Sequence, residues 1–293
     1  SDLGTFFNKD ISLALTLVEA LQEAECTFIK SEILHDAEIC IPSEMLETIT
    51  DRGGRVYKEN YRALIERKVL PLESYARICA HVRDRGMYLA LSVYDLAGLA
   101  FAQSQGAALV KIASSNIVHK PLIQSAAKCG IPVALDTGKA TMIEIERAFN
   151  WFVDSGGVDL VIQHSPEPPP APVSDHNLGM VAQFATRFHC PVGLSDHHQG
   201  DEMMYAALAL GASVIEKGVS PNSLELEQDL AHSLRVGQVA EVLRKCTNIA
   251  KASGVAQRYP FGKYHGHLAR MGLFAARDIP AGALILSSDV QIG

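Results

Sequence analysis

The clearest strand in this sequence reads Pro191-Val192-Gly193-Leu194-Ser195, and Asp196-His197-His198 follows it directly. A short apolar run that ends in polar residues is typical of a buried strand in a parallel sheet. Seven further segments share this pattern: residues 3–6, 27–30, 87–92, 108–112, 132–136, 159–163 and 213–217. The sequence therefore predicts eight strands.

Segments of helical period separate these strands. Residues 11–21, for example, place Ile11, Ala14, Leu15, Val18 and Leu21 on one apolar helical face. Eight such units predict an α/β fold, a (β/α)8 TIM barrel, over residues 1–252. The rival is an open doubly wound sheet, which usually carries a GxGxxG turn after its first strand, and that turn is absent here.

Two segments interrupt this alternation of strands and helices, and the amino-acid composition changes near the C-terminal end. Residues 31–86 are too long for one crossover and predict a long loop over one end of the barrel. Residues 166–172 are rich in proline and predict a stiff extended loop. Residues 253–293 combine Gly, Tyr, His and short apolar pieces, which predicts a linker and the start of a second, smaller domain.

Composition narrows the function classes. The formal charge of −7 argues against a broad hold on a nucleic-acid backbone. No apolar run reaches the roughly 20 residues that cross a bilayer, and the start does not resemble a signal peptide, so neither a membrane partner nor export is expected. Six cysteines without a CxxC pair predict reduced thiols and a cytoplasmic location.

The predicted strand ends carry many polar groups. They are Lys30, Ser92, Lys111 with Ser114, Asp136 with Thr137, Gln163 with His164, Ser195, and Glu216 with Lys217. In a barrel these ends meet at one mouth. Two lysines among hydroxyls suit a small dianion such as a phosphate ester. The alternative is structural, in which Lys30 and Lys111 pair with Glu216 or Asp136.

Histidine is also concentrated at this mouth. Of the eleven histidines, His164, His197 and His198 fall at predicted strand ends. An imidazole beside carboxylates suits a divalent ion that polarises a carbonyl oxygen. His197 is therefore a candidate metal ligand.

Several motifs follow one another along the chain. They are Phe28-Ile29-Lys30, Val110-Lys111-Ile112-Ala113-Ser114, Asp136-Thr137-Gly138, Gly193-Leu194-Ser195-Asp196-His197, Gly211-Ala212-Ser213-Val214-Ile215-Glu216-Lys217, and Asp229 with Ser233-Leu234. Together these motifs resemble, over nearly the whole chain, the family of N-acetylneuraminate (sialic acid) synthases with their spore coat polysaccharide biosynthesis relatives. Residues 273–282 resemble the start of the family's small antifreeze-like (SAF) domain.

The resemblance implies an enzyme that condenses phosphoenolpyruvate with the open-chain aldehyde of an N-acyl hexosamine. The products are a nine-carbon 2-keto acid, used for surface polysaccharide, and phosphate. The resemblance also implies a divalent metal cofactor, Mn²⁺ or Mg²⁺, and a homodimer with a swapped small domain.

Site residues follow from the same resemblance. Lys30, Ser92, Lys111, Ser114 and Ser195 match contacts to phosphoenolpyruvate, Asp229 matches the acid that holds sugar hydroxyls, and His197 matches one metal ligand. Asp2 falls at the position of a family glutamate. We therefore expect Asp2, Lys30, Lys111 and Glu216 to be catalytic, and Asp136, Thr137 and Gln163 to complete the substrate site.

The sequence departs from the family at some positions. The family's second metal ligand, a histidine after the eighth strand, is replaced by Gly218. His164, His198 or Glu216 are possible substitutes for it. The sequence also stops at Gly293, short of a complete small domain.

Two other functions stay open. One is a degenerate barrel that binds phosphoenolpyruvate or a sugar without turnover. The other is a neighbouring aldol-type synthase with a phosphorylated aldose acceptor, against which the resemblance to the small domain argues.

Overall fold

The computed structural model describes residues 1–224, 226–254 and 271–293. The chain divides into two compact units, Ser1–Ser253 and Gly254–Gly293. Residues 255–270, which the sequence assigns to the linker, lie outside the described residues.

Strands and helices alternate along the first unit. The strands are β1 (Phe28–Glu32), β2 (Leu46–Thr50), β3 (Val56–Asn60), β4 (Tyr88–Val93), β5 (Leu109–Ile112), β6 (Val133–Asp136), β7 (Leu160–His164), β8 (Val192–Asp196), β9 (Val214–Lys217), β10 (Val219–Ser220) and β11 (Leu234–Arg235). The helices are α1 (Ile11–Glu23), α2 (Tyr61–Lys68), α3 (Leu72–Asp84), α4 (Leu96–Ser104), α5 (Lys120–Ala126), α6 (Met142–Asp154), α7 (Gly179–Phe188), α8 (Glu202–Ala209) and α9 (Val239–Ser253).

Seven of these strands form one parallel sheet in the order β1-β4-β5-β6-β7-β8-β9. Neighbouring strands from β4 onward are joined by single helices, as right-handed βα units require. The predicted α/β class and parallel sheet are confirmed. The carboxyl ends of all seven strands consequently lie on the same side of the sheet.

A short N-terminal segment links the two edges of this sheet. Asp2 forms one parallel bridge with Lys30 in β1 and another with Gly218, directly after β9. Its backbone N–H donates to the Lys217 carbonyl over 2.9 Å, and its carbonyl accepts from the Val219 N–H over 2.8 Å. The sheet is therefore curled, barrel-like, with its edges joined.

The predicted first strand, residues 3–6, is wrong in position. The paired residues are Ser1, Asp2 and Leu3, because the chain turns immediately afterwards. Oδ1 of Asp2 accepts a hydrogen bond of 2.8 Å from the Gly4 N–H, and Gly4 has φ +47°. Glycine adopts this left-handed conformation readily, so the turn ends the strand early.

Apolar faces of the helices cover the outside of the sheet. In α1 the buried residues are Ala14, Leu17, Val18 and Leu21, and Asp10 caps the helix by accepting from the Leu13 N–H. These side chains join the strand residues in one hydrophobic core. Because this core fixes each strand, it also fixes the polar groups at the strand ends.

The region between β1 and β4 is more ordered than the predicted long loop. It contains the antiparallel hairpin β2-β3 and the helices α2 and α3. Residues 51–55 form the hairpin turn, where Asp51 accepts from the backbone N–H of Gly53 and Arg55. From this turn Arg52 donates to the Ser233 carbonyl over 3.0 Å. The hairpin thus contacts the segment that follows β10.

The described part of the second unit contains an antiparallel pair, β12 (Leu273–Ala275) with β13 (Val290–Ile292). Nε of Arg277 donates to Oδ1 of the buried Asp289 over 2.6 Å. No helix among the described residues combines the length and the apolar character that a membrane span needs. All six cysteines are free.

Leu3→Ala tests the N-terminal closure. Leu3 is fully buried in the core, so we expect the free energy of unfolding to fall by about 2–5 kcal/mol. Urea denaturation measures the change. Leu210→Ala, at a residue that is 46% exposed, is the control and should change it by less than about 1 kcal/mol. Equal effects of the two substitutions would contradict a closing role for Leu3.

Candidate active site

A cavity at the carboxyl ends of the strands holds most of the residues singled out from the sequence. Its volume is about 150 Å³. The predicted residues in its wall are Asp2, Lys30, Ser92, Lys111, Ser114, Asp136, Ser195, His197, Glu216 and Asp229. The parallel topology gathers them, because each lies at a strand end or in the loop that follows.

Lys30 is buried among carboxylates in this cavity. Its Nζ lies 2.6 Å from Oδ2 of Asp2, 3.2 Å from Oε1 of Glu216 and 3.4 Å from Oε1 of Glu32. Burial by itself would lower the pKa of Lys30, but Asp2 and Glu216 raise it well above its ordinary value. The ammonium group therefore stays charged.

Lys111 forms the second half of the cluster. Its Nζ lies 2.6 Å from Oδ2 of Asp136, 2.7 Å from Oε1 of Glu216 and 3.4 Å from Oγ of Ser195. Burial opposes the charge here too, but Asp136 and Glu216 raise the pKa of Lys111. Gln163 donates to the other oxygen of Glu216 over 2.9 Å. Glu216 is thus shared by both lysines and held by an amide.

Two carboxylates of the cluster have pKa shifts of opposite sign. Burial would raise the pKa of Glu216, but Lys111 and Lys30 lower it well below its usual range. Burial raises the pKa of Asp2 in spite of the neighbouring Lys30. Glu216 is therefore a fixed anion, whereas Asp2 is the group better suited to hold or release a proton.

The ion-pair interpretation drawn from the sequence is confirmed for both lysines. Lys30 and Lys111 each contact Glu216, and Lys111 also contacts Asp136. The sequence did not assign Asp2 or Glu32 to this pairing. Because the lysines already have partners, an anionic ligand must take over part of their contacts with carboxylates.

Lys217, next to Glu216, belongs to a separate ion pair. Its Nζ lies 2.7 Å from Oδ2 of Asp196 and donates to the carbonyls of His198 and Gly200. Burial lowers the pKa of Lys217 despite Asp196. Sequence reasoning missed this role, which the alternation of side chains along β9 could have indicated. The pair fixes the loop after β8.

His197 lies in the cavity wall beside a second imidazole, His232. Their ring centroids are 5.0 Å apart, with an angle of 60° between the planes. Burial, reinforced by His197, lowers the pKa of His232 well below its usual value. His232 was not singled out from the sequence. Its only signal there is its place three residues after Asp229.

The position of Gly218 is crowded. A Cβ atom there would lie 3.3 Å from Cβ of Ser233 and 3.4 Å from the nearest ring carbon of Phe6. Phe6 and Ser233 therefore fill the space next to this glycine. Among the described residues, no three His, Cys, Asp or Glu side chains are gathered as a ready-made metal site.

Four predicted residues do not line this cavity, namely Thr137, Gln163, His164 and His198. Nε2 of His164 lies 2.7 Å from the His176 carbonyl, and Nε2 of His198 lies 2.9 Å from Oε1 of Glu202. Thr137 donates to the Gln163 carbonyl over 3.0 Å. His164 and Thr137 line a different cavity, of about 660 Å³. The geometry therefore does not bring His164 or His198 to His197 as a substitute ligand.

The loop that carries Asp229 and His232 is anchored by Glu227. Its carboxylate lies 2.8 Å from Nη1 of Arg67 and 3.0 Å from Nζ of Lys68. Burial would raise the pKa of Glu227, but these cations lower it to about 2. The ion pairs tie the loop to α2.

The curled parallel sheet and the buried charges at its strand ends define an enzyme of the barrel-like α/β class. The model of the NeuB family matches residues 17–258. The chain belongs to the NeuB family, which confirms the resemblance seen in the sequence.

The chain is also similar to other proteins in sequence and in fold. The N,N'-diacetyllegionaminic acid synthase of Campylobacter jejuni is 25% identical over 288 residues, which cover 97% of this chain and 86% of that protein. The N-acetylneuraminic acid (sialic acid) synthetase of Leptospira borgpetersenii shares the fold with a TM-score of 0.80 at 21% identity, covering 92% of this chain and 89% of its own. A putative spore coat polysaccharide biosynthesis protein E of Chromobacterium violaceum also shares the fold. Its TM-score is 0.80 at 21% identity, and the match covers 99% of this chain and 87% of that protein's chain.

Gly218→His tests the packing around the missing ligand position. The new ring must displace Phe6 or Ser233, so we expect the free energy of unfolding to fall by about 1–3 kcal/mol. The same substitution in a Phe6→Ala background should cost less, because the space is then open. An equal cost in both backgrounds, measured by urea denaturation, would show that Phe6 does not occupy the position.

Glu227→Gln tests the anchor of the loop. The pKa of about 2 in the folded protein lies below the ordinary glutamate value of 4.5, so the ionised carboxylate stabilises the fold above pH 4.5 and this contribution is lost as pH falls toward 2. We expect the variant to lose about 3 kcal/mol at pH 7.

The difference between wild type and Glu227→Gln should shrink when urea denaturation is repeated at pH 3.5. The exposed Glu23 provides the control as Glu23→Gln, with a change below about 0.5 kcal/mol. A difference that does not depend on pH would rule out ionisation of Glu227 as the cause.

Proposed function

We propose that this protein condenses phosphoenolpyruvate with an N-acyl hexosamine to give a sialic-acid-like 2-keto acid and phosphate. The observation that carries the proposal is the pair of charged lysines, Lys30 and Lys111, which share Glu216 in one cavity. Membership of the NeuB family supports the reaction class. Names of relatives that specify sialic and legionaminic acids support a sugar acceptor.

The anionic half of the site consists of lysines and hydroxyls. Lys30 and Lys111 would hold the phosphate and carboxylate of phosphoenolpyruvate as point charges, with Ser92, Ser114 and Ser195 in the same wall as hydrogen-bond donors. Preorganised charges of this kind stabilise the negative charge that develops during the reaction. Asp136 holds Lys111 in place, and Gln163 holds Glu216.

In this proposal Asp2 is the residue that accepts or donates a proton during the reaction. The enol carbon forms a bond to the aldehyde carbon, the aldehyde oxygen gains a proton, and water adds at C2 with loss of a proton. Phosphate then leaves by C–O cleavage and takes up the proton that the new C2 hydroxyl loses as it becomes the ketone. Asp2, whose pKa is raised, can hold one of these protons next to Lys30. Glu216 is too acidic for this task and orients the lysines instead.

The acceptor half lies near Asp229 and His197. Asp229 is the carboxylate proposed for the sugar hydroxyls. The imidazole and the nearby carboxylates provide donors that Mn²⁺ or Mg²⁺ accepts. A divalent ion bound at His197 would polarise the aldehyde oxygen.

The proposal also covers the domain architecture and the oligomeric state. The first unit is a (β/α)8 barrel whose first strand is reduced to residues 1–3, and residues 253–293 are the linker and the start of an SAF domain. The likeness of residues 273–282 to that domain supports a homodimer. The product would serve cytoplasmic synthesis of a surface polysaccharide.

Binding without turnover is the second candidate. The crowded position of Gly218 favours it, because Phe6 and Ser233 fill the space next to the position where the family carries its second metal ligand.

The test is phosphate release from phosphoenolpyruvate with Mn²⁺ and a panel of N-acyl hexosamines. We expect release with at least one acceptor, and a loss of about 100-fold in Lys111→Met. Lys120→Met, on α5, is the matched control and should keep the activity, while circular dichroism checks that both variants fold.

No release with any acceptor, together with a higher melting temperature in phosphoenolpyruvate, would overturn the enzyme proposal in favour of binding alone. Release without any dependence on Lys111 would place the reaction outside this cavity.

A further inference from the structure

The two imidazoles of His197 and His232 form a pair that the reaction proposed above leaves unexplained. His232 comes from the short turn Leu230–His232, and His197 follows β8. Both line the same cavity, and their rings meet edge to face at 5.0 Å. Two elements far apart in the sequence thus place their imidazoles together.

His197 is held with one nitrogen available. Its Nδ1 lies 2.9 Å from the Pro166 carbonyl, which can only accept a hydrogen bond. Nδ1 therefore carries the proton, and the lone pair of the neutral ring is on Nε2. A backbone carbonyl that fixes the tautomer in this way is the usual support of a histidine metal ligand.

His232 has an unsatisfied nitrogen. Its side chain is 5% exposed, and its Nδ1 is buried without a hydrogen-bond partner among the described residues. Buried polar atoms nearly always have a partner, so an orphaned imidazole nitrogen in a cavity wall needs an explanation. The other ring nitrogen of His232, Nε2, lies 3.7 Å from Oδ1 of Asp229, so Nδ1 is the nitrogen left for a ligand.

We propose that His197 and His232 together bind a divalent cation. His232 is then the second imidazole ligand, which Gly218 cannot provide. Metal–nitrogen bonds are about 2.1 Å, so two imidazoles on one ion have ring centres on the order of 5 Å apart, as observed here. Since no third side chain is preassembled among the described residues, the remaining coordination positions belong to water or substrate oxygens.

This inference rests on the proposed function for the role of the ion, but its test does not. Binding of Mn²⁺ alone is measured by calorimetry, and pulsed electron paramagnetic resonance counts the coordinated imidazole nitrogens. Wild type should show two. His197→Gln and His232→Gln should each show one and bind Mn²⁺ at least tenfold more weakly.

His198→Gln is the matched control, because His198 is the neighbour of His197 in sequence and its Nε2 contacts Glu202. It should leave Mn²⁺ affinity within twofold of wild type. The inference would be overturned by a folded His232→Gln variant that keeps two coordinated imidazole nitrogens or the wild-type affinity for Mn²⁺. It would also be overturned by a crystal structure grown with Mn²⁺ that shows an ordered water and no ion between the two rings.

The two proposals fail separately. Two-imidazole Mn²⁺ binding without phosphate release would leave the metal site standing and remove the reaction. Phosphate release from a wild type that coordinates one imidazole would do the reverse.

Discussion

The carboxylate of Glu216 between two buried ammonium groups is the contact on which the cavity depends. Without Glu216, the buried positive charges of Lys30 and Lys111 would lose the carboxylate that they share. Too little negative charge would then remain to offset the desolvation of the two ammonium groups. Glu216 is itself held by Gln163. These four side chains come from β9, β1, β5 and β7, which are alternate strands of the sheet.

Layers of four side chains from alternate strands fill the interior of (β/α)8 barrels, usually with branched apolar residues. In the curled sheet of this chain, the four side chains from alternate strands are instead charged or amidic. The cost of burying them is met by mutual pairing, which gives the cavity a rigid floor of fixed charges. The opposite pKa shifts of Asp2 and Glu216 arise from their unequal shares of this pairing.

The sequence predicted the parts of the fold that depend on local pattern. Strands such as β8 were found because apolar runs in a buried parallel strand are nearly continuous. The closing segment was misplaced because its pairing depends on β1 and β9, which are distant in sequence, and on the turn at Gly4. The β2-β3 hairpin was missed because it lies outside the sheet.

In the site, too, residues set by local pattern were predicted, whereas residues positioned by distant contacts were not. Lys30 and Lys111 were recognisable because lysines at strand ends are unusual and must meet an anion. His232 was not recognisable, because it lies in a loop whose position is set by Glu227 and α2 rather than by any pattern around it. Likewise, only the packing of Phe6 shows what stands beside Gly218.

The joining of the sheet edges by Asp2 has a consequence for the order of folding. One residue near the start of the described chain contacts both β1 and the segment after β9, so the contact spans more than two hundred positions. Such pairing forms late, since it depends on the prior arrangement of everything between. Because Asp2 also supplies a carboxylate to the cavity, the charged cluster is complete only when the last edge is joined. Closure of the sheet and completion of the charged cluster therefore depend on the same residue.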